Sequence, residues 1–528
     1  MNSLSIPAIR GAALVFAVLT FFTLPVQAQS QSSRSSDNAD SVQQLRDEVQ
    51  QLKSMIEEMR SENAESRAEM HQLRKELQET RAILEGPTTH PDSETQQASA
   101  SNPEAIPAAT ATAEAKNPSV EDRVQKLEEA TSLLGSKVDE QYQTKVETAS
   151  KYRARLHGIV LMNAFRNIGG SDNLDLPTYA EPVFPGWPTA NVGATLRQSE
   201  IGLEVFGPTV FGAKSSADIQ MDFSGGFPQT GNGVNFGIAR LQTASLRLDW
   251  EHTSFVAGQD QMFLSPLSPT SFASLAIPAF AFAGNLWGWT PQLRIEHRFS
   301  VGDQQTVTVQ GGVLDNLDWE TPYDPFYRSA QAGEYSGQPA YGFRTAWSRP
   351  VHTKTLSFGV AGYYGRQTWR WDHTTDAWAG MADWQIPILP KLTFSGELYR
   401  GRAIGGLGGG VGTSILFGGD PANPGTPIRG LDAAGGWAQL KFQLTPKLEF
   451  NGAIATDNAF AGDVRGFALD QNNNGPILGR NEGALGNFVF RPRSDLLFSA
   501  ELRRLRTFPV YSESSTVNQV NLSVGILF

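Results

Sequence analysis

Asp470-Gln471-Asn472-Asn473-Asn474-Gly475 opens like a calcium loop, D-x-N-x-N-G, whose alternating side-chain oxygens would converge on one cation. The twelfth position, where a bidentate glutamate belongs, is Asn481, with Glu482 one residue late, and no helical pattern flanks the segment. Asp470, Asn472 and Asn474 therefore read as a polar turn in preference to a metal site. Nucleophilic catalysis would need a histidine beside an activated serine or an acid. The histidines after residue 151 are His157, His252, His297, His352 and His373, and no G-x-S-x-G elbow accompanies them. His297 shares an apolar strand face, where an interfacial ring is the plain explanation. The chain has no cysteine, which removes disulfides, thiolate chemistry and cysteine-bound metals together. These residues argue against an enzyme and call for no cofactor.

Another set of residues suggests different chemistry. Arg197, Asp218, Asp222, Arg240, Arg294, Glu296, Arg298, Arg344, Glu397, Lys441, Glu449, Glu501 and Arg503 are charges in the half of the chain where hydrophobicity alternates with period two. In 213–223, Ala217, Ile219, Met221 and Phe223 alternate with Lys214, Asp218, Gln220 and Asp222; 292–299, 392–399 and 438–444 repeat the pattern. Charged side chains are costly against lipid, so in a membrane barrel the apolar set faces out and the charged set lines a watery interior. Rings of one sign would select ions, but both signs occur and nearly balance. A weakly selective wall and a modest anion preference both remain open.

Connections separate a membrane barrel from a soluble sandwich. Short turns are expected at 206–211, 300–304, 348–354, 387–391, 445–447 and 491–494. Long connections fall between them at 167–192, 225–237, 263–291, 315–339, 401–431 and 457–480. Alternating short turns and long loops is the pattern of an up-and-down membrane barrel, here an all-β barrel of about sixteen antiparallel strands. Strands entering the short turns end on Phe206, Trp250, Phe299, Trp347, Trp384, Phe442, Phe490 and Phe528, an aromatic girdle at one interface. Val520, Leu522, Val524, Ile526 and Phe528 share one face of the last strand. The third long connection, 263–291, has no charge between Asp260 and Arg294. Leu275, Ile277, Phe280 and Phe282 are its candidates for narrowing or plugging a pore.

The first 150 residues follow other rules. Arg10 precedes an apolar run to Val26, and Val26-Gln27-Ala28 supplies a cleavage site, so 1–28 reads as a signal peptide. A polar lead occupies 29–41. From 42 to 85 a heptad repeat places Val42, Val49, Ile56, Asn63, Met70 and Leu77 at one seam position and Leu45, Leu52, Met59 and Leu73 at the other. Basic e positions from Arg46 to Arg81 face acidic g positions such as Glu62 and Glu69, the charge pattern of a parallel coiled-coil homo-oligomer. β-branched residues at a, leucine at d and Asn63 favour two strands. Residues 86–118, rich in Pro, Ala, Ser and Thr, read as a linker, and 119–150 as a short helix docking to the barrel (151–528). The acidic balance, Asp+Glu 54 against Lys+Arg 43, argues against nucleic acid as a partner.

Arg197-Gln198-Ser199-Glu200-Ile201-Gly202, Asp222-Phe223-Ser224-Gly225-Gly226 and Gly258-Gln259, with a coiled-coil arm before about sixteen strands, resemble the dicarboxylate-type (DcaP-like) porins. The resemblance implies trimers in the outer membrane, arm and C-terminus in the periplasm, and passive uptake of small polar or anionic solutes past an inward third loop. It also implies that the terminal Phe528 is read by the barrel-assembly machinery. An alternative is a tether or adhesin in which the coiled coil does the work and the barrel anchors it. A peptide spanning 42–85 should be helical and oligomeric in sedimentation equilibrium, and Asn63→Leu should raise its melting temperature while loosening its stoichiometry. A monomeric peptide would refute the seam.

Overall fold

The computed structural model describes residues 153–227, 237–302, 304–318, 320, 328–467, 469–470 and 477–528. The expected signal peptide, heptad arm, linker and docking helix lie outside them. Sixteen strands form one antiparallel sheet: β1 Arg153–Ile168, β2 in two pieces, Ala190–Thr195 and Glu200–Val210, β3 Ala213–Asp222, β4 Arg240–Asp249, β5 Thr253–Gln261, β6 Trp289–Ser300, β7 Thr306–Leu314 and β8 Ala340–Val351. Then come β9 Lys354–Trp369, β10 His373–Leu389, β11 Leu392–Arg402, β12 Asp432–Thr445, β13 Leu448–Ala459, β14 Leu478–Arg493, β15 Leu496–Pro509 and β16 Ser515–Leu527. The sheet closes on itself where β1 pairs with β16, from Ile159 opposite Leu527 to Ile168 opposite Asn518. Closure leaves no strand edge unpaired, the condition for a sheet surrounded by lipid.

The last backbone bonds of the closure belong to Phe528. Gly158 N donates to Phe528 O at 2.9 Å, and Phe528 N donates back to Gly158 O at 3.1 Å. A Cβ on Gly158 would lie 2.3 Å from Glu200 O and 2.9 Å from the Phe528 ring, so the closing residue must be glycine.

Period-two patterning sorts the two faces. On β16, Val520, Leu522, Val524 and Ile526 are between 42% and 55% exposed, whereas Val517, Gln519, Asn521 and Ser523 are at most 3% exposed. The apolar outer face is what lipid requires, and the inner face of this strand is covered by other parts of the chain. The aromatic row lies at the turn end and is denser than the descending strands alone indicate. Trp347 stacks on Phe358 with centroids 6.3 Å apart, Trp384 meets Phe394 at 5.8 Å, and Phe490 stacks on Phe498 at 6.5 Å. Facing strands share a level, so a ring ending one strand meets a ring beginning the next. His297 joins this row, its ring 4.3 Å from Phe299.

Two expectations about connections need correction. The turns cover residues 211–212, 250–252, 301–305, 352–353, 390–391, 446–447 and 494–495; all but 301–305 and the additional 250–252 are tighter than expected, because the strands run further. The opposite end is not uniformly long: β9 passes to β10 through Arg370–Asp372, and β15 to β16 through residues 510–514. The loops at that end are L1 (169–189), L2 (223–239), L3 (262–288), L4 (315–339), L6 (403–431) and L7 (460–477), with L5 and L8 the two short ones. Leu522→Arg puts a charge on the exposed apolar face and should cost about 2–4 kcal/mol if it lies near mid-membrane. Equilibrium refolding into lipid vesicles measures this, and an unchanged midpoint would contradict the assignment of that face.

Candidate functional site: loops held inside the barrel

An uncharged loop inside a barrel still carries a polar backbone, and each buried N–H or C=O without a partner costs about 1–3 kcal/mol. L3 meets that demand with side chains of the wall. Ser265 Oγ and Leu267 N both donate to the Glu397 carboxylate on β11, the latter at 2.8 Å. Thr270 N donates to Gln439 on β12 at 2.6 Å, and Thr270 O accepts from Asn487 on β14 at 2.8 Å. Ser271 Oγ donates to Glu501 at 2.6 Å and accepts from Arg503 at 3.1 Å, both on β15. Asn163 on β1 donates to Phe272 O at 2.8 Å. Gln198, at the break in β2, grips Ala273 O at 3.1 Å and Leu275 N at 2.7 Å, and Arg240 on β4 reaches Ala276 O at 2.5 Å. The loop therefore crosses the interior from β11 to β4, bound at nearly every step.

Apolar contacts complete its seating. Phe272 and Leu275 pack on Ile159, Leu161, Val489 and Leu497, and Phe280 packs among Trp437, Leu485 and Leu505. At Gly284, with φ +109°, a Cβ would lie 2.3 Å from Thr456 O and 2.5 Å from Gly436 O, so loop backbone rests directly on wall backbone. Of the four constriction candidates, Phe280 is 3% exposed and turned to the wall, so it pins the loop instead of lining an opening. Phe282 meets Trp287 edge-on at 6.2 Å, and Leu275 and Ile277 are half-buried. Pro266 and Ser268 are the exposed residues of the first half of L3.

L3 has company that the sequence reading missed. In L6, Gly410 N donates to Tyr399 Oη at 3.2 Å and Val411 N to Asp457 at 2.9 Å, while Tyr399 donates to the same Asp457 at 2.6 Å. Leu407 O accepts from Trp287 N at 3.0 Å, joining L6 to L3. In L1, Thr178 O accepts from Asn481 at 2.9 Å, and Ala180 N donates to Thr507 at 2.8 Å. The signal for L6 was present: residues 403–419 are glycine-rich and as free of charge as L3.

The thirteen expected pore charges share the strand face opposite the exposed apolar residues, except Arg197, which lies in the β2 break. They are largely paired with one another or with the loops. Arg294 binds Asp260 and Glu296, each at 2.8 Å; Arg344 binds Asp383 at 2.8 Å; Gln310 links the two by donating to Glu296 at 3.2 Å and accepting from Arg344 at 3.1 Å. Arg197 pairs with Asp175 at 2.7 Å, Arg240 with Asp222 at 2.5 Å, and Lys441 approaches Glu449 at 3.8 Å. Arg298 donates to Ser254 at 3.1 Å, and Asp218 accepts from Thr243 at 2.8 Å. Arg294, Glu296, Arg344, Glu397, Glu501 and Arg503 are all buried, so a freely solvated wall is not what these residues form. His157 lies 3.4 Å from Asp218, its ring over Gly202 where any Cβ would collide. Asp470 lies in a two-residue strand opposite Leu416; Asn472 and Asn474 lie outside the described residues.

No family model matches the sequence, and no curated protein matches it. Solved structures do match. The outer membrane channel DcaP of Acinetobacter baumannii aligns at a TM-score of 0.54 and 15% identity, covering 73% of this chain and 100% of the other. An anion-selective porin from Comamonas acidovorans aligns at 0.45 and 12%, covering 71% and 100%. OprB of Pseudomonas putida aligns at 0.41 and 12%, covering 71% and 94%. At 15% identity the likeness to DcaP establishes a shared fold, a closed antiparallel β-barrel of sixteen strands.

One loop contact is set to respond to pH. Asp318 of L4 accepts from Gln367 at 2.6 Å and from Ser414 of L6 at 3.1 Å, and burial pushes its carboxyl up to about 8. The folded chain therefore holds this proton more tightly than the unfolded chain does. That contribution is complete below the ordinary value of 3.8 and is lost as pH rises through about 8. Asp318→Asn should remove this component from melting temperatures measured across that window; parallel curves for variant and wild type would contradict it.

Proposed function

We propose that the chain is an outer-membrane porin of the DcaP-like type, passing small polar or anionic solutes by diffusion along the space between L3 and the paired charges of β2–β10. The observation that carries this reading is L3 itself, a long uncharged loop bound inside a closed sixteen-strand barrel by side chains from β11 round to β4. A loop so held narrows the lumen without supplying charge. Selectivity then rests on the wall, where Arg294 is shared by Asp260 and Glu296 and Arg344 binds Asp383, so most charges are held by a partner of opposite sign. A modest anion preference fits this better than a strong preference of either sign.

The turn end, with its aromatic row and Phe528, is the periplasmic end in this reading, and the long loops face outward. The resemblance stated for the sequence supports a trimer, whereas the heptad seam favours a dimer. Outer-membrane lipid surrounds the barrel, and the barrel-assembly machinery is its partner during insertion. His297 shares a 2.8 Å hydrogen bond with Thr253 within the girdle, the interfacial role this reading gives it.

Planar-bilayer recordings of the refolded chain should give stable single channels with reversal potentials displaced weakly toward anions. Removing residues 275–282 should raise conductance several-fold, because the part of L3 that runs from Gln198 and Arg240 back to Asn481 on β14 is lost. Silent bilayers, or strong cation selectivity, would overturn the reading.

A further inference from the structure

The lipid-facing wall carries a groove that the channel does not use. It spans β10 to β15, has a volume of about 740 Å³, and is lined on the outer face by Trp384, Leu398, Gly436, Ala438, Ile454 and Ala484. Leu398 and Ile454 are 51% and 66% exposed, so this is the surface that meets acyl chains. Beside it Gly452 stands directly opposite Gly486 in the register, and a Cβ on either would meet nothing within 4 Å. Crowding within the chain does not require glycine there; the pair leaves the surface hollow.

The end of the groove nearer the long loops is basic. Arg504 stands opposite Ala484, and Arg506 opposite Glu482, which puts both guanidinium groups at the groove mouth. Both are exposed and share strand parity with the lipid-facing Leu502. Arg480 and Arg506 lie over the ring of Phe508 at 3.9 and 4.6 Å, and Arg506 also donates to Ser514 Oγ at 3.1 Å, which leaves its remaining N–H groups for an anion. The nearby acid, Glu482, pairs with Arg480 at 3.3 Å. The Arg504 guanidinium has no ion-pair or hydrogen-bond partner among the described residues. A lone arginine on a lipid-facing strand is unfavourable unless an anion reaches it from the headgroup layer.

We infer that this face binds a phosphate-bearing, acylated lipid of the outer leaflet, its chains in the groove and its phosphate between Arg504 and Arg506. Planar guanidinium groups match phosphate oxygens in a bidentate fashion, and the apolar hollow below them matches chains and not a free ion. The inference rests on the outer-membrane reading above, so conductance is measured on every sample: silent samples fail that reading, whereas conducting samples without lipid discrimination fail this inference alone.

The test mixes the purified full chain in detergent with diphosphorylated lipid A, with the same lipid after phosphatase treatment, or with inorganic phosphate alone, and reads retained lipid by native mass spectrometry. Wild type should retain the phosphorylated lipid at least about tenfold better than the dephosphorylated one. Arg504→Ala combined with Arg506→Ala should abolish that preference, and Gly486→Leu should weaken retention of both lipids by filling the hollow. All three substitutions fall on the outer face, where losing charge or gaining an apolar side chain favours insertion, and channel conductance should stay at the wild-type level. Equal retention of both lipids by wild type, an unchanged preference in the arginine double variant, or binding of inorganic phosphate without lipid discrimination would each overturn the proposal. A drop in oligomer mass with Gly486→Leu would do so too, by assigning the face to a second copy of the chain.

Discussion

Every feature of this molecule answers to one constraint: backbone N–H and C=O groups removed from water must find partners. In the wall the answer is closure, completed where Phe528 and Gly158 exchange hydrogen bonds. Inside the wall the same demand recurs, because L3, L6 and part of L1 are folded into a space that could have held only water. These loops form no ladder with the sheet. Their backbone groups are met one at a time by Glu397, Gln439, Asn487, Asn163, Gln198, Arg240 and Asp457.

This gives the lumen charges a different meaning. In a wall open to solvent, Glu397, Glu501 and Arg503 would act on passing ions. Here they act on a loop, making the side-chain hydrogen bonds that hold Ser265, Leu267 and Ser271. The division of labour explains why L3 can be uncharged: the wall brings polarity and the loop brings shape. On the β5–β10 side, Asp260, Arg294, Glu296, Gln310, Arg344 and Asp383 form one linked series in which three acids share two arginines, so each charge is met by a fixed partner in the wall.

The motifs behind the resemblance also acquire physical roles. Gln198 is the residue that grips L3, Ser199 donates to Leu161 O at 3.3 Å across the β2 break, and Gly202 makes room for the His157 ring. Asp222 accepts from both Arg240 and Gln242, steadying the arginine that holds Ala276. Gly258, at φ +134°, lies so close to Ala244 O that a Cβ there would be 2.2 Å away. Gln198 and Ser199 act at the break in β2, whereas Gly202, Asp222 and Gly258 act within the strand ladder.

Sequence alone determined the barrel, its strand number, the side each strand face presents, and the turn-end aromatic row. All of these follow from period two and from the cost of charge in lipid, which are local and readable one strand at a time. The tertiary structure decided what fills the barrel. Whether an uncharged loop turns inward depends on donors and acceptors from strands far apart in sequence, such as Asn163 and Phe272 or Gln439 and Thr270, which period cannot relate. For the same reason Phe280 was legible as a loop aromatic but not as a residue facing the wall, and glycine-rich L6 was legible as a long connection but not as part of the lumen. Alternation tells a side chain which way to point; only closure tells it what it will meet.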